Sequence, residues 1–131
     1  MGVRFPSVAS TVVVNQLPAN ATETVICVTP PINLPIDSAQ VMLYWYIAAN
    51  IGTGATAYVV RLRRGITTGA PQITAVGGTQ TVVAGNGAVL GGSYVDVPGV
   101  VAEQQYALTV SQTAATGTGS ITDVCLIAFV L

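Results

Sequence analysis

Apolar residues in this chain recur with a period of two or in short unbroken runs, and nowhere with the three-to-four-residue spacing of a helix face. The alternation predicts eight strands, at about Ser10 to Asn15, Thr24 to Thr29, Gln40 to Ala48, Ala57 to Arg64, Thr79 to Val83, Ser93 to Val97, Gln105 to Ser111 and Ile121 to Val130. Residues that favour turns separate them: Pro30-Pro31, Gly77-Gly78, Gly85-Asn86-Gly87, Gly91-Gly92, Pro98-Gly99 and Gly117-Thr118-Gly119. The expected class is all-β.

The strands differ in how many of their faces are apolar. Over Gln105 to Ser111 the alternation is clean, with Tyr106, Leu108 and Val110 on one side and Ala107, Thr109 and Ser111 on the other. Over Gln40 to Ala48 both sides are apolar, Leu43, Trp45 and Ile47 opposing Met42, Tyr44 and Tyr46. The last strand repeats this, Val124, Leu126, Ala128 and Val130 opposing Cys125, Ile127 and Phe129. A two-layer sandwich has one interior, so these two strands call for a second burial. Contact between subunits supplies it, which makes Met42, Tyr44, Tyr46, Ile127 and Phe129 the candidate oligomer interface. The competing expectation is that the stretch between Arg64 and Thr81 folds over the outer face.

Composition narrows the function. The 131 residues are 51% hydrophobic and 7% charged, with net charge −1. They read as one domain over 1–131, with residues 1–9 a short arm, and a chain of this size can bury a core without staples. No apolar run is long enough for a membrane-spanning helix, and the N-terminus lacks the apolar stretch of a secretory signal, so the chain is expected to begin where its fold begins. The four arginines are too few for a phosphate backbone, which argues against nucleic acid. Arg61 and Arg63 read as one solvent or interface face of a strand.

Catalysis lacks its usual residues. With no His and no Lys there is no neutral-pH acid–base side chain, no imidazole ligand and no Schiff base. Glu23, Asp37, Asp96, Glu103 and Asp123 are scattered without the spacing of a catalytic pair, and a calcium site from turn aspartates is the weaker alternative. Gly52-Thr53-Gly54-Ala55-Thr56-Ala57 matches a dinucleotide fingerprint on paper, but a strand follows where a helix must begin. It reads as a hairpin loop. Cys27 and Cys125 read either as small buried hydrophobes or as a thiol pair bridging the first and last core strands. The expectation is a protein that is not an enzyme and has no cofactor, no metal and no small-molecule substrate.

Eight strands with Gly-rich connections, Val41 to Ile47 returning as Tyr58 to Gly65, resemble a single jelly roll. The closing segment, Tyr106-Ala107-Leu108-Thr109-Val110, a Gly/Thr loop, then Val124 to Leu131, is similar to the last two strands of trimeric jelly rolls. Small virion structural proteins of phages and tumour-necrosis-factor-like heads share that pattern. The first group implies an eight-stranded antiparallel jelly roll, trimeric, acting as a capsid decoration protein or capsid subunit. Its partners would be its own copies and other capsid proteins, and its place the outer surface of a virion made in the host cytoplasm. A receptor- or glycan-binding head of a viral fibre or lectin-like protein is the alternative.

Overall fold

The structure, a computed structural model, describes residues 7–11, 22–34, 39–51, 56–82, 87–112 and 119–131. Among these residues the only regular elements are ten strands: β1 (Ser7–Thr11), β2 (Thr24–Val28), β3 (Ile32–Leu34), β4 (Val41–Ile51), β5 (Thr56–Arg64), β6 (Gln72–Val82), β7 (Gly87–Asp96), β8 (Val101–Gln104), β9 (Tyr106–Gln112) and β10 (Gly119–Val130). No helix among them is long and apolar enough to cross a membrane.

The pairing follows one rule. β1 pairs with β10, β2 with β9, β3 with β8, β4 with β7 and β5 with β6, all antiparallel, so the chain is one long doubled ribbon. Two further ladders, β10 with β4 and β9 with β5, roll that ribbon into two sheets of order β1-β10-β4-β7 and β2-β9-β5-β6. A ribbon wound in this way is a jelly roll. The short β3–β8 pair is the part of the ribbon between the two sheets.

Period-two alternation puts one side of each sheet inside. Leu43, Trp45 and Ile47 of β4, Val124, Leu126 and Ala128 of β10, Val60 and Leu62 of β5, and Tyr106, Leu108 and Val110 of β9 fill the interior, joined by Ile26, Leu34 and Ile121. Each of the eight expected strands overlaps a strand of the two four-stranded sheets, the first only at Ser10 and Thr11, and the β3–β8 pair is additional to them. Residues 12–15 of the first expected strand, and the Gly52–Ala55 loop, lie outside the described residues, while Ser7 to Ala9 of the expected arm belong to β1.

Three expectations are corrected. The strands before and after Gly52 do not pair: β4 and β5 are the third strands of different sheets, β4 between the distant β10 and β7, β5 between the distant β9 and its hairpin partner β6. Gly77-Gly78 does not end a strand. β6 begins at Gln72 and runs through these glycines, where a register shift leaves residues 77–79 facing Val59 alone. Gly91-Gly92 lies within β7, opposite Tyr46 and Trp45. A Cβ at Gly91 would come within 3.0 Å of the Trp45 carbonyl oxygen, so the bare backbone lets β7 approach the aromatic strand.

Candidate functional site: the outer face of β4 and β10

The five residues expected at an interface lie together on the outer face of one sheet. The β4–β10 ladder sets Met42 opposite Phe129, Tyr44 opposite Ile127 and Tyr46 opposite Cys125. Their neighbours Leu43, Trp45, Leu126 and Ala128 point inward and are buried, which leaves these side chains on the far side of the sheet. Tyr44 is 46% and Tyr46 39% exposed, while Met42, Ile127 and Phe129 are half-buried. Tyr44 and Phe129 meet edge to face, their ring centroids 5.8 Å apart and their planes at 86°. Across the β4–β7 ladder, Val95 stands beside Met42 and Val89 beside Ala48, and both valines are exposed. The stretch from Arg64 to Thr81 does not cover this face, because it forms the turn at Gly65 to Pro71 and β6, in the other sheet.

One polar group rims the patch. The Tyr46 hydroxyl donates to Asp123 Oδ2 at 2.6 Å, and the same carboxylate raises the tyrosine pKa, since ionisation would lose that bond and set two negative charges together. A bulge at Thr122 in β10 places Asp123 there: Ile121 faces Ala49 and Asp123 faces Ala48, with Thr122 extra. The Thr122 hydroxyl donates to the Ala48 carbonyl at 3.1 Å, which fixes the bulge.

The two cysteines lie on β2 and β10, strands that pack against each other, and both thiols are free. Cys27 is buried in the core, whereas Cys125, in register with Tyr46, is half-buried on the outer face. Burial, and then the nearby Cys125, push the Cys27 thiol up to about 11.

Arg61 and Arg63 share the outer face of the opposite sheet, but their surroundings differ. Arg63 grips Glu23 with Nε and Nη2, both at 2.6 Å, and donates from Nη1 to the Ala70 carbonyl at 2.7 Å. Thr109 donates to the same carboxylate, and the arginine holds Glu23 below the usual carboxylate range. Arg61 donates to Ser111 Oγ at 2.9 Å. Arg63 is thus a structural clamp joining the residue before β2, β5 and the turn after β5. Arg64, of opposite parity, pairs with buried Asp96, which also accepts a hydrogen bond from Tyr106 at 2.9 Å. This trio links the two sheets, because Asp96 is on β7 and the others are on β5 and β9. Nothing in the sequence spacing pointed to Asp96 or Glu23 as arginine partners; the usable signal was three arginines in one strand of a chain with so few charges.

Among the described residues no three His, Cys, Asp or Glu side chains gather as metal ligands.

No protein family model matches the chain, and no curated protein matches it in sequence. Solved structures do match in fold. The chain of the T13 particle of infectious bursal disease virus superposes with a TM-score of 0.60 at 9% identity, covering 98% of this chain and 36% of that one. What the two share is the jelly-roll fold. This chain therefore spans little more than a third of that capsid chain. Looser superpositions are found with Eiger TNF from S. frugiperda, at TM-score 0.48 and 10% identity over 98% of this chain and 94% of that one. A subunit of the disulfide-linked pili of Bacillus endospore appendages gives TM-score 0.39 and 23% identity over 100% of this chain and 95% of that one.

Proposed function

We propose that the protein is a virion structural subunit that works by association with its own copies and with other capsid proteins, burying the outer face of β4 and β10. The single observation that carries this reading is the apolar row of Met42, Tyr44, Tyr46, Ile127 and Phe129 on the outer side of a sheet whose inner side already closes the core. Such an exposed patch, rimmed by a polar group, is characteristic of an association surface. The shared fold with capsid chains supports a particle as the setting. Charge supports it too: among the described residues Arg63 and Arg64 are already paired with Glu23 and Asp96, which leaves little basic surface for nucleic acid. The assembly we favour is a homotrimer on the outside of a capsid, as a decoration protein or as a shell subunit, without cofactor or catalysis.

Electron microscopy of the purified protein, at low and high salt, tests this. The expected products are trimers, trimers joined in pairs or closed shells, all persisting as salt rises, because apolar contacts are not screened. Long filaments, or a monomer at micromolar concentration, would overturn the capsid reading.

A further inference from the structure

β7 is an edge strand: among the described residues it pairs with β4 alone. Edge strands of natural sheets are guarded by charge, proline, bulges or shortness. β7 has none of these guards. It runs for ten residues, its ladder with β4 is regular from Gly87 to Asp96, and no charge or proline occurs before Asp96 at its end. The other sheet edges differ. β2 and β6 carry register shifts, and β1 has five residues.

The outward-facing row of β7 is Val89, Gly91, Ser93 and Val95, all exposed, with Val89 at 75%. That row is symmetric about Gly92: two valines three residues away on either side, two small residues next to it. An antiparallel copy of the same strand, related by a two-fold axis at Gly92, sets each Val89 against the other copy's Val95 and each Gly91 against Ser93, all on the same face. Because the row is uncharged, two identical strands meet without like-charge repulsion. Val95 also stands beside Met42, so a sheet continued through β7 extends the apolar face of β4 and β10 into the neighbour.

We propose that β7 is the edge through which a second copy of this chain continues the β1-β10-β4-β7 sheet, the two β7 strands running antiparallel with Val89 facing Val95. This inference rests on the self-association proposed above but not on the capsid setting, and it names a contact separate from the β4–β10 face.

Two measurements decide it. Val89→Cys and Val95→Cys proteins carrying different mass tags are mixed and oxidised by dioxygen with a copper catalyst, two thiols giving one disulfide while oxygen is reduced to water. Mixed dimers are expected at least about tenfold above the cross-linking of either variant alone, with the wild type as the control for Cys125. Equal cross-linking of a single variant, or none in the mixture, overturns the register. In the second measurement Val89→Lys, at a solvated position where folding should be untouched, is sized by light scattering. Its assembly is expected to fall to half the wild-type mass or below, and an unchanged mass overturns the edge contact. If Phe129→Asp dissociates the assembly and Val89→Lys does not, the β4–β10 reading stands and this one falls; the reverse pattern keeps the edge and removes the face.

Discussion

Tyr44 and Phe129 are not direct cross-strand partners, since Tyr44 faces Ile127 and Met42 faces Phe129, yet their rings meet edge to face at 5.8 Å along the diagonal of the ladder. Diagonal contacts of this kind are within reach of aromatic side chains, and edge-to-face pairs contribute about 0.5–1.5 kcal/mol beyond area burial. A double-mutant cycle of Tyr44→Ala and Phe129→Ala by denaturant unfolding should return a coupling in that range. A coupling indistinguishable from zero would show that the rings touch without stabilising each other.

The Glu23–Arg63 clamp gives the protein an acid-sensitive step. Arginine holds the Glu23 carboxyl below its ordinary value of 4.5, so the folded state binds the proton less readily than the unfolded chain. The stabilisation is therefore present at neutral pH and is lost as pH falls below about 4.5 and through the folded value. Glu23→Gln should be less stable than wild type at pH 7, by about 1–3 kcal/mol because it removes the ionised partner of a half-buried arginine. The gap should shrink toward pH 3. A gap independent of pH would contradict the assignment.

Tyr106 gives the corresponding alkaline step. Burial, and then Asp96, raise its pKa well above the ordinary 10, so the folded state keeps the proton that the unfolded chain gives up. Stability should be unaffected by this group below about pH 10 and fall as pH rises beyond it. Tyr106→Phe should flatten that alkaline fall. It should also cost about 1 kcal/mol at pH 7 for the lost hydrogen bond to Asp96, measured by denaturant unfolding at each pH.

Strand positions were legible because each buries one side chain in two: Trp45, Leu126 and Leu108 announce the interior, and the same alternation announces the apolar outer row of Tyr44 and Phe129. What the sequence did not show is pairing between distant segments. β4 and β5 are separated by a short Gly-rich stretch, which suggests a hairpin, but each strand is central in its own sheet, β4 between β10 and β7 and β5 between β9 and β6. Gly77 and Gly91 look like turn residues because glycine has poor strand propensity; sheet context overrides it, through a bulge at the first and close approach of Trp45 at the second. β3 and β8 are too short to show a period. The Arg64–Asp96–Tyr106 trio joins three strands of two sheets, and only the rolled ribbon brings them together.

Thiol labelling should separate the two cysteines. Cys27 is buried and its pKa is about 11, so little thiolate exists at pH 8 and reaction should wait for unfolding. Cys125, half-buried on the β4–β10 face, should react first in dissociated protein and become protected as copies assemble. Rapid labelling of Cys27 in the folded protein would contradict its place in the core.

Gly65 has φ of 141°, and a Cβ there would come 2.7 Å from the Ala70 Cβ, whereas Gly99, at φ 88°, has nothing within 4 Å of a Cβ. Both replacements by alanine are strained, but Gly65→Ala must also displace the turn that places the Ala70 carbonyl on Arg63. It should destabilise by about 2 kcal/mol or more, against about 1 for Gly99→Ala. Equal thermal shifts would contradict this.

The most direct measurement is the mass of the wild-type protein by light scattering across micromolar concentrations, beside Phe129→Asp. Phe129 is half-buried on the outer face, so the monomer fold should tolerate the change, whereas a carboxylate enclosed between copies would be unpaired and cost several kcal/mol of association. Burial of the β4–β10 face predicts a stable multiple of 13.3 kDa for the wild type and a folded monomer, or a smaller oligomer, for the variant. A wild type that remains at 13.3 kDa, or a variant that assembles as the wild type does, would contradict burial of the β4–β10 face between copies.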